Sequence, residues 1–274
     1  MKSILYRCKQ EDLEYLSQVL ESNASFTNDQ KRKKLLIASR NKEQQREALI
    51  ELIDKQIRYY GSSDIAYMGR QIINKKAGVS ETALITDVCK QLKVRIKKGG
   101  SFETKLRLMV GAVVEKELTA MSPQQLSESF SEIGMGNADK ELVMKHLKSS
   151  GKVALMPVLI AAVGPRVLPG IIETVVIGLI ERIIGPATSK KLVGEFVVRN
   201  PWLGAMGPVV GVLSTAWLVY DIQGPAFRKT IPAMLYLGVV AMRDEEKEAA
   251  EKSAPEKTIA EERPVVAPTK RVED

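Results

Sequence analysis

Between Arg199 and Asp221 the chain runs for 21 residues without a charge, NPWLGAMGPVVGVLSTAWLVY. Any fold it takes must hide this stretch from water or give it to lipid. The length matches the roughly 20 residues needed to cross the hydrocarbon of a bilayer. Trp202 sits at one end and Trp217 and Tyr220 at the other, as interfacial anchors would. Gly204, Gly207 and Gly211 include a G-x-x-x-G pair, which lets two helix backbones approach closely and is compatible with a homo-oligomer. Pro208 lies inside the run. In a soluble helix interior a proline costs about 3 kcal/mol, so it either marks a boundary between two short helices or sits in a packed membrane helix that tolerates it. Lys190, Lys191 and Arg199 precede the run and Arg228 and Lys229 follow it. With basic residues on both sides, a hairpin returning to the same face fits as well as a single span.

The neighbouring sequence shares this character. Val153 to Gly164 is uncharged, Val167 to Gly185 is apolar except for Glu173, Glu181 and Arg182, and Ile231 to Met242 is a further apolar run too short to span. Helices that are apolar all round also form the cores of soluble proteins, so a wholly buried region is the competing reading. Glu173 and Glu181, eight residues apart on one helical face, are the candidates for a pH-sensitive element if the region inserts.

Residues 1–150 carry a different signal, apolar positions at helical spacing. Leu13, Leu16, Val19 and Leu20 form one stripe; Leu49, Leu52, Ile53, Ile57 and Tyr60 a second; Leu84, Ile85, Val88, Leu92 and Ile96 a third. Phe102, Leu106, Met109, Val110, Val113 and Leu118 make a fourth, and Ser122-Pro123-Gln124-Gln125 is a capping box opening a fifth helix. Period-two alternation is nearly absent, so the expected class is all-α. The expected organisation is a basic amphipathic bundle over 1–150, an apolar Gly/Pro-rich helical region over 151–242, and a charged tail over 243–274. The tail begins as a helical extension, RDEEKEAAEK, and ends in a Pro- and Glu-rich stretch expected to be disordered.

Charge follows these divisions. The net charge is +8; the tail holds about −3 of it and the rest about +11. A basic body suits an anionic membrane surface, whereas the scarcity of aromatics among the basic residues disfavours nucleic acid. Two cysteines far apart, Cys8 and Cys89, make no disulfide framework and point to a reducing compartment. With His146 as the one histidine, they lack metal-ligand spacing. The first twenty residues hold no secretory signal, so the expected address is the cytoplasm, including the cytoplasmic side of an inner membrane.

No catalytic, cofactor or metal motif is found. Ser149-Ser150-Gly151-Lys152 lacks the early glycine of a phosphate loop and has Val153 where a hydroxyl must hold magnesium. Lys97-Lys98-Gly99-Gly100-Ser101 offers amides and two charges to an anion at a helix start, but reads more simply as a connecting loop. Two segments are more specified than composition requires. In the first, Tyr60 precedes Gly61, which stops a helix, and Asp64 lies in the first turn of the next. In the second, Asp221 to Pro232, Gly224 and Pro225 form a turn, Thr230 is the expected N-cap and Pro232 lies in the first turn. Asp221 and Arg228 are expected to pair across that corner.

The motifs YGSSDIAYMGR, TDVCKQLKV (Thr86 to Val94, including Asp87) and GPAFRKTIPAM, with the early DLEYL, resemble the YaaW family of uncharacterised bacterial proteins over about residues 10–240. That family has a distant link to the ubiquinol–cytochrome c chaperone domain. The resemblance implies a helical, non-enzymatic bacterial protein and transfers no functional residues. The preferred expectation is a helical module acting at or near the inner membrane in assembly, scaffolding or a membrane-directed stress or defence role, with a protein partner or client. The alternative is a soluble chaperone offering an apolar groove to a client protein.

Overall fold

The computed structural model describes residues 1–21, 28–61, 79–132, 135–149, 155–185 and 227–253. Among the described residues there are helices and no strands, as the absence of period-two patterning predicts. The helices are α1 (Lys2–Arg7), α2 (Gln10–Val19), α3 (Asp29–Ala38), α4 (Glu43–Tyr60), α5 (Glu81–Gln91), α6 (Phe102–Ala120), α7 (Pro123–Glu132), α8 (Asn137–Ser149), α9 (Leu155–Ile184) and α10 (Phe227–Ser253). The uncharged run over 200–220, with Gly204, Gly207 and Gly211, lies outside the described residues, as do Asp64, Asp221, Gly224, Pro225, the 150/151 boundary and residues 254–274.

Local chemistry sets several boundaries. Ser80 and Ser101 accept hydrogen bonds from the Ala83 and Thr104 amides and so cap α5 and α6. The capping box at α7 is reciprocal: the Gln125 amide donates to Ser122 Oγ and the Ser122 amide to Gln125 Oε1. α9 breaks at Gly164, where φ of 71° and ψ of 171° suit only glycine and the residue after it is Pro165. It ends at Gly185, in the left-handed region at φ 86°, whose amide donates to the Glu181 carbonyl.

The stripes read from sequence are the buried faces, except that α5 ends at Gln91, so Ile96 lies beyond the helix and packs only in part, and they converge on one element. Every residue of α10 from Thr230 to Ala241 is buried. α10 packs against α1, α2, α4, α5, α6 and α9. The short apolar run is therefore the axis of the bundle, surrounded on all sides from Ile231 to Ala241, which is why it is apolar on all sides. The helix begins earlier than the sequence suggests: Phe227 is already helical, so Thr230 is a buried interior residue and not the N-cap, and Pro232 lies in the second turn. The carbonyl that Pro232 leaves without a helical amide is that of Arg228, an exposed residue near the start of the helix.

Contacts along α10 fix the directions of its neighbours. Arg243 meets Asp12, Tyr236 meets Tyr15, and Lys229 meets the Leu20 carbonyl, so α2 is antiparallel to α10. On α9, Glu173 acts electrostatically on both Arg243 and Tyr15, and Glu181, of these two, on Tyr15 alone. Arg182 faces Glu117, which lies toward the Lys229 end because Glu103, at the other end of α6, pairs with Arg7. α9 is antiparallel to α10 as well. Its last residues, Ile184 and Gly185, therefore lie at the end of the bundle where α10 starts.

Candidate functional site: the polar spine of the central helix

Within this apolar helix three polar residues recur at heptad spacing, Lys229, Tyr236 and Arg243, and all three face α2. At the upper end Asp12, 2% exposed, receives three donors. Tyr236 Oη donates to its Oδ1 at 2.8 Å, Arg243 Nη2 to its Oδ2 at 2.8 Å, and the Lys9 amide to Oδ2 at 2.7 Å. The Tyr15 and Tyr236 rings stack with centroids 4.1 Å apart. Burial pushes both phenols well above their ordinary values, reinforced by Glu181 and Glu173 at Tyr15 and by Asp12 at Tyr236. A carboxylate filled in this way is an acceptor committed to holding α2 and α10 together.

At the lower end Lys229 donates to the Leu20 carbonyl at 3.2 Å and to Tyr60 Oη at 3.3 Å, and lies 4.5 Å from the Tyr60 ring centroid. Burial pulls its ammonium down to about 8; Asp29 and Glu21 act to raise it and Arg32 to lower it. Arg32 is wholly buried. It donates to Ser17 Oγ at 2.9 Å, to Asp29 Oδ1 at 2.8 Å and to Gln56 Oε1, which joins α2, α3 and α4. A third group pins α1: the Met1 amine and Arg58 both pair with Glu81, and Arg58 also holds Asp54 at 2.8 Å.

Of the residues singled out in the sequence, the structure brings Tyr60 against Lys229; residues 62–64 and 224–226 of the same two motifs lie outside the described residues. Gly61 ends α4 in a right-handed conformation; its requirement is space, since a Cβ there would stand 2.2 Å from Leu84 Cδ1. Asp87 is exposed on α5 and joins neither end of the spine, and Arg228 is exposed. Glu181 is half-buried, and burial raises its carboxyl above the ordinary value against the pull of Arg182. Asp12, Tyr15, Tyr236, Arg243 and Arg32 escaped notice in the sequence. A partial signal was present: DLEYL supplies Asp12 and Tyr15, and Lys229, Tyr236 and Arg243 stand at heptad spacing within and beside an apolar run, but nothing local marks them as buried and nothing marks Arg32.

No family model matches the chain, and no solved structure does. The chain is similar to a UPF0174 protein of Helicobacter pylori strain J99 / ATCC 700824, 25% identical over 203 residues that cover 74% of this chain and 75% of that protein. It is also similar to a UPF0174 protein of Helicobacter pylori strain ATCC 700392 / 26695, 23% identical over 192 residues, 70% of this chain and 87% of that one. Its homologues are thus bacterial proteins of an uncharacterised family.

Proposed function

We propose that the chain is a non-catalytic helical module that works against the inner membrane, presenting its uncharged 200–220 run to lipid as a hairpin from one end of a basic bundle. The observation that carries this reading is the antiparallel pairing of α9 and α10. Residues 186–226 leave at Gly185 and return at Phe227, at the same end of the bundle. Two departures on one face suit a re-entrant or paired insertion, and the basic residues on both sides of the run suit the same membrane face. The other apolar stretches are already used. α9 from Ile171 to Ile180 is buried except for the half-buried Glu173, and α10 is the core. No helix among the described residues is long and apolar enough to cross a membrane. The role in this reading is assembly or scaffolding at the membrane.

A chaperone with an apolar client groove is supported less well. The exposed large hydrophobics among the described residues are Tyr6, Ile37, Leu108 and Leu142, distributed over four helices. Fractionation of untagged protein from bacterial cells tests the reading. The expected result is retention of the chain in membranes through both high-salt and carbonate washes. A wholly soluble pool would overturn the reading.

A further inference from the structure

The segment that follows α5 is a basic strip of unusual purity. Lys90, Lys93, Arg95, Lys97 and Lys98 are all exposed, and no acidic residue occurs between Asp87 and Glu103. Glu103 pairs with Arg7 at 2.7 Å and Arg107 at 3.1 Å and so is already occupied by other cations.

The strip is also built. α5 ends in a Schellman turn: Lys93 is left-handed at φ 52°, its amide donates to the Lys90 carbonyl, and the Val94 amide donates to the Cys89 carbonyl. Val94 and Ile96 then pack against the core, so the intervening Arg95 and the following Lys97 and Lys98 are held outward. Lys116 on α6 donates to the Leu92 carbonyl at 2.8 Å. The residue after it, Glu117, is buried and acts on Arg182, in the last turn of α9. The strip therefore begins near the place where residues 186–226 depart and climbs along α6 toward its N-terminus, where Lys97 and Lys98 precede the cap Ser101.

We propose that this strip is the headgroup-contact surface of the protein and binds anionic phospholipid. The inference rests on the membrane reading above and names the lipid class that reading left open. A cluster of this size, starting near a membrane-directed segment and continuing along the side of the bundle, matches the polybasic patches that recognise anionic leaflets. Residues 79–101 contain no aromatic side chain, so the stacking that single-stranded nucleic acid requires is missing.

Vesicle flotation of the full chain tests it, with phosphatidylcholine vesicles compared with phosphatidylcholine–phosphatidylglycerol vesicles. The variant K90Q/R95Q/K97Q/K98Q is compared with a charge-matched variant on α3 and its flank, K31Q/K33Q/K34Q/K42Q, all at exposed positions. Each basic residue near an anionic surface is worth about a fivefold factor in partitioning, so the strip variant is expected to lose at least about a hundredfold on phosphatidylglycerol vesicles, and the α3 variant far less. If the strip variant melts early, K97Q/K98Q replaces it, with a loss of about twenty-fivefold. Unchanged partitioning, equal losses from both variants, no preference for phosphatidylglycerol, or displacement by a short DNA duplex would each overturn the proposal. The two readings separate cleanly. A strip variant that partitions normally while wild type resists carbonate refutes the strip alone. Loss in the strip variant with wild type released by carbonate refutes the inserted run alone.

Discussion

Asp12 and Tyr236 join α2 to the central helix through a hydrogen bond whose acceptor is charged and buried, and such bonds contribute about 1.5–3 kcal/mol. Tyr236→Phe keeps the stack on Tyr15 and removes the donor, so a loss of about 2 kcal/mol is expected, read as a lower urea midpoint with unchanged slope. Asp12→Asn also strips Arg243 of its counter-charge. Because Arg243 is 28% exposed and water can reach it, the added cost is held to about 1–2 kcal/mol beyond the tyrosine variant. The double variant should cost less than the sum of the two, since Tyr236→Phe removes the bond that Asp12→Asn weakens to one with a neutral acceptor. Strict additivity would mean that the charge on Asp12 adds nothing to that bond.

Lys229 gives a pH-dependent expectation. Its folded value, about 8, lies below the ordinary 10.5, so between these values the unfolded chain holds a proton that the folded chain has released. Stability then rises with pH across that window, and the contribution is lost as pH falls through about 8. Lys229→Met should lack this rise. The difference in unfolding free energy between wild type and variant, followed from pH 7 to 10, should move toward wild type above pH 8. A flat difference would show that the ammonium is not desolvated in the folded state.

At the scale of elements, α10 is held by close approach as much as by polar contacts. A Cβ on Gly238 would stand 2.4 Å from Val110 Cγ2 and 3.1 Å from the Leu106 carbonyl oxygen, so α6 and α10 meet nearly backbone to backbone. Ala in place of Gly favours a helix by about 1 kcal/mol, but forcing two packed helices apart costs about 1–3 kcal/mol. Gly238→Ala is expected to lower the melting temperature, whereas an ordinary exposed helix glycine would raise it. Calorimetry on the purified variant decides between the signs.

For the whole molecule, the antiparallel return of α9 along α10 turns one region of sequence into two different things. Ile231–Ala241 becomes the bundle axis, while residues 186–226 are attached at one end of it. The basic strip after α5 starts toward the same end, where Lys116 holds the Leu92 carbonyl, and runs along α6 from there. The membrane-retention and vesicle experiments test this polarity directly: a bundle with one lipid-directed end should lose phosphatidylglycerol preference through the strip and carbonate resistance through the run.

The sequence by itself determined the helical class, because apolar positions at i, i+3, i+4 and i+7 are a property of neighbouring residues on one helix and need no partner to be read. The cap at Ser122 and the end of α4 at Gly61 were legible for the same reason, each being set within one turn. The start of α10 was not, because the pull to extend the helix back to Phe227 comes from burying Thr230 and Ile231 among other helices. Nor was the spine. Asp12, Arg32, Tyr236 and Arg243 are ordinary polar letters in sequence, and only tertiary packing, which removes them from water and obliges each to find a partner up to 231 positions away, makes them decisive. The same packing decided that Ile231–Ala241 faces protein on every side, a question that hydropathy cannot answer because protein interior and lipid are equally apolar.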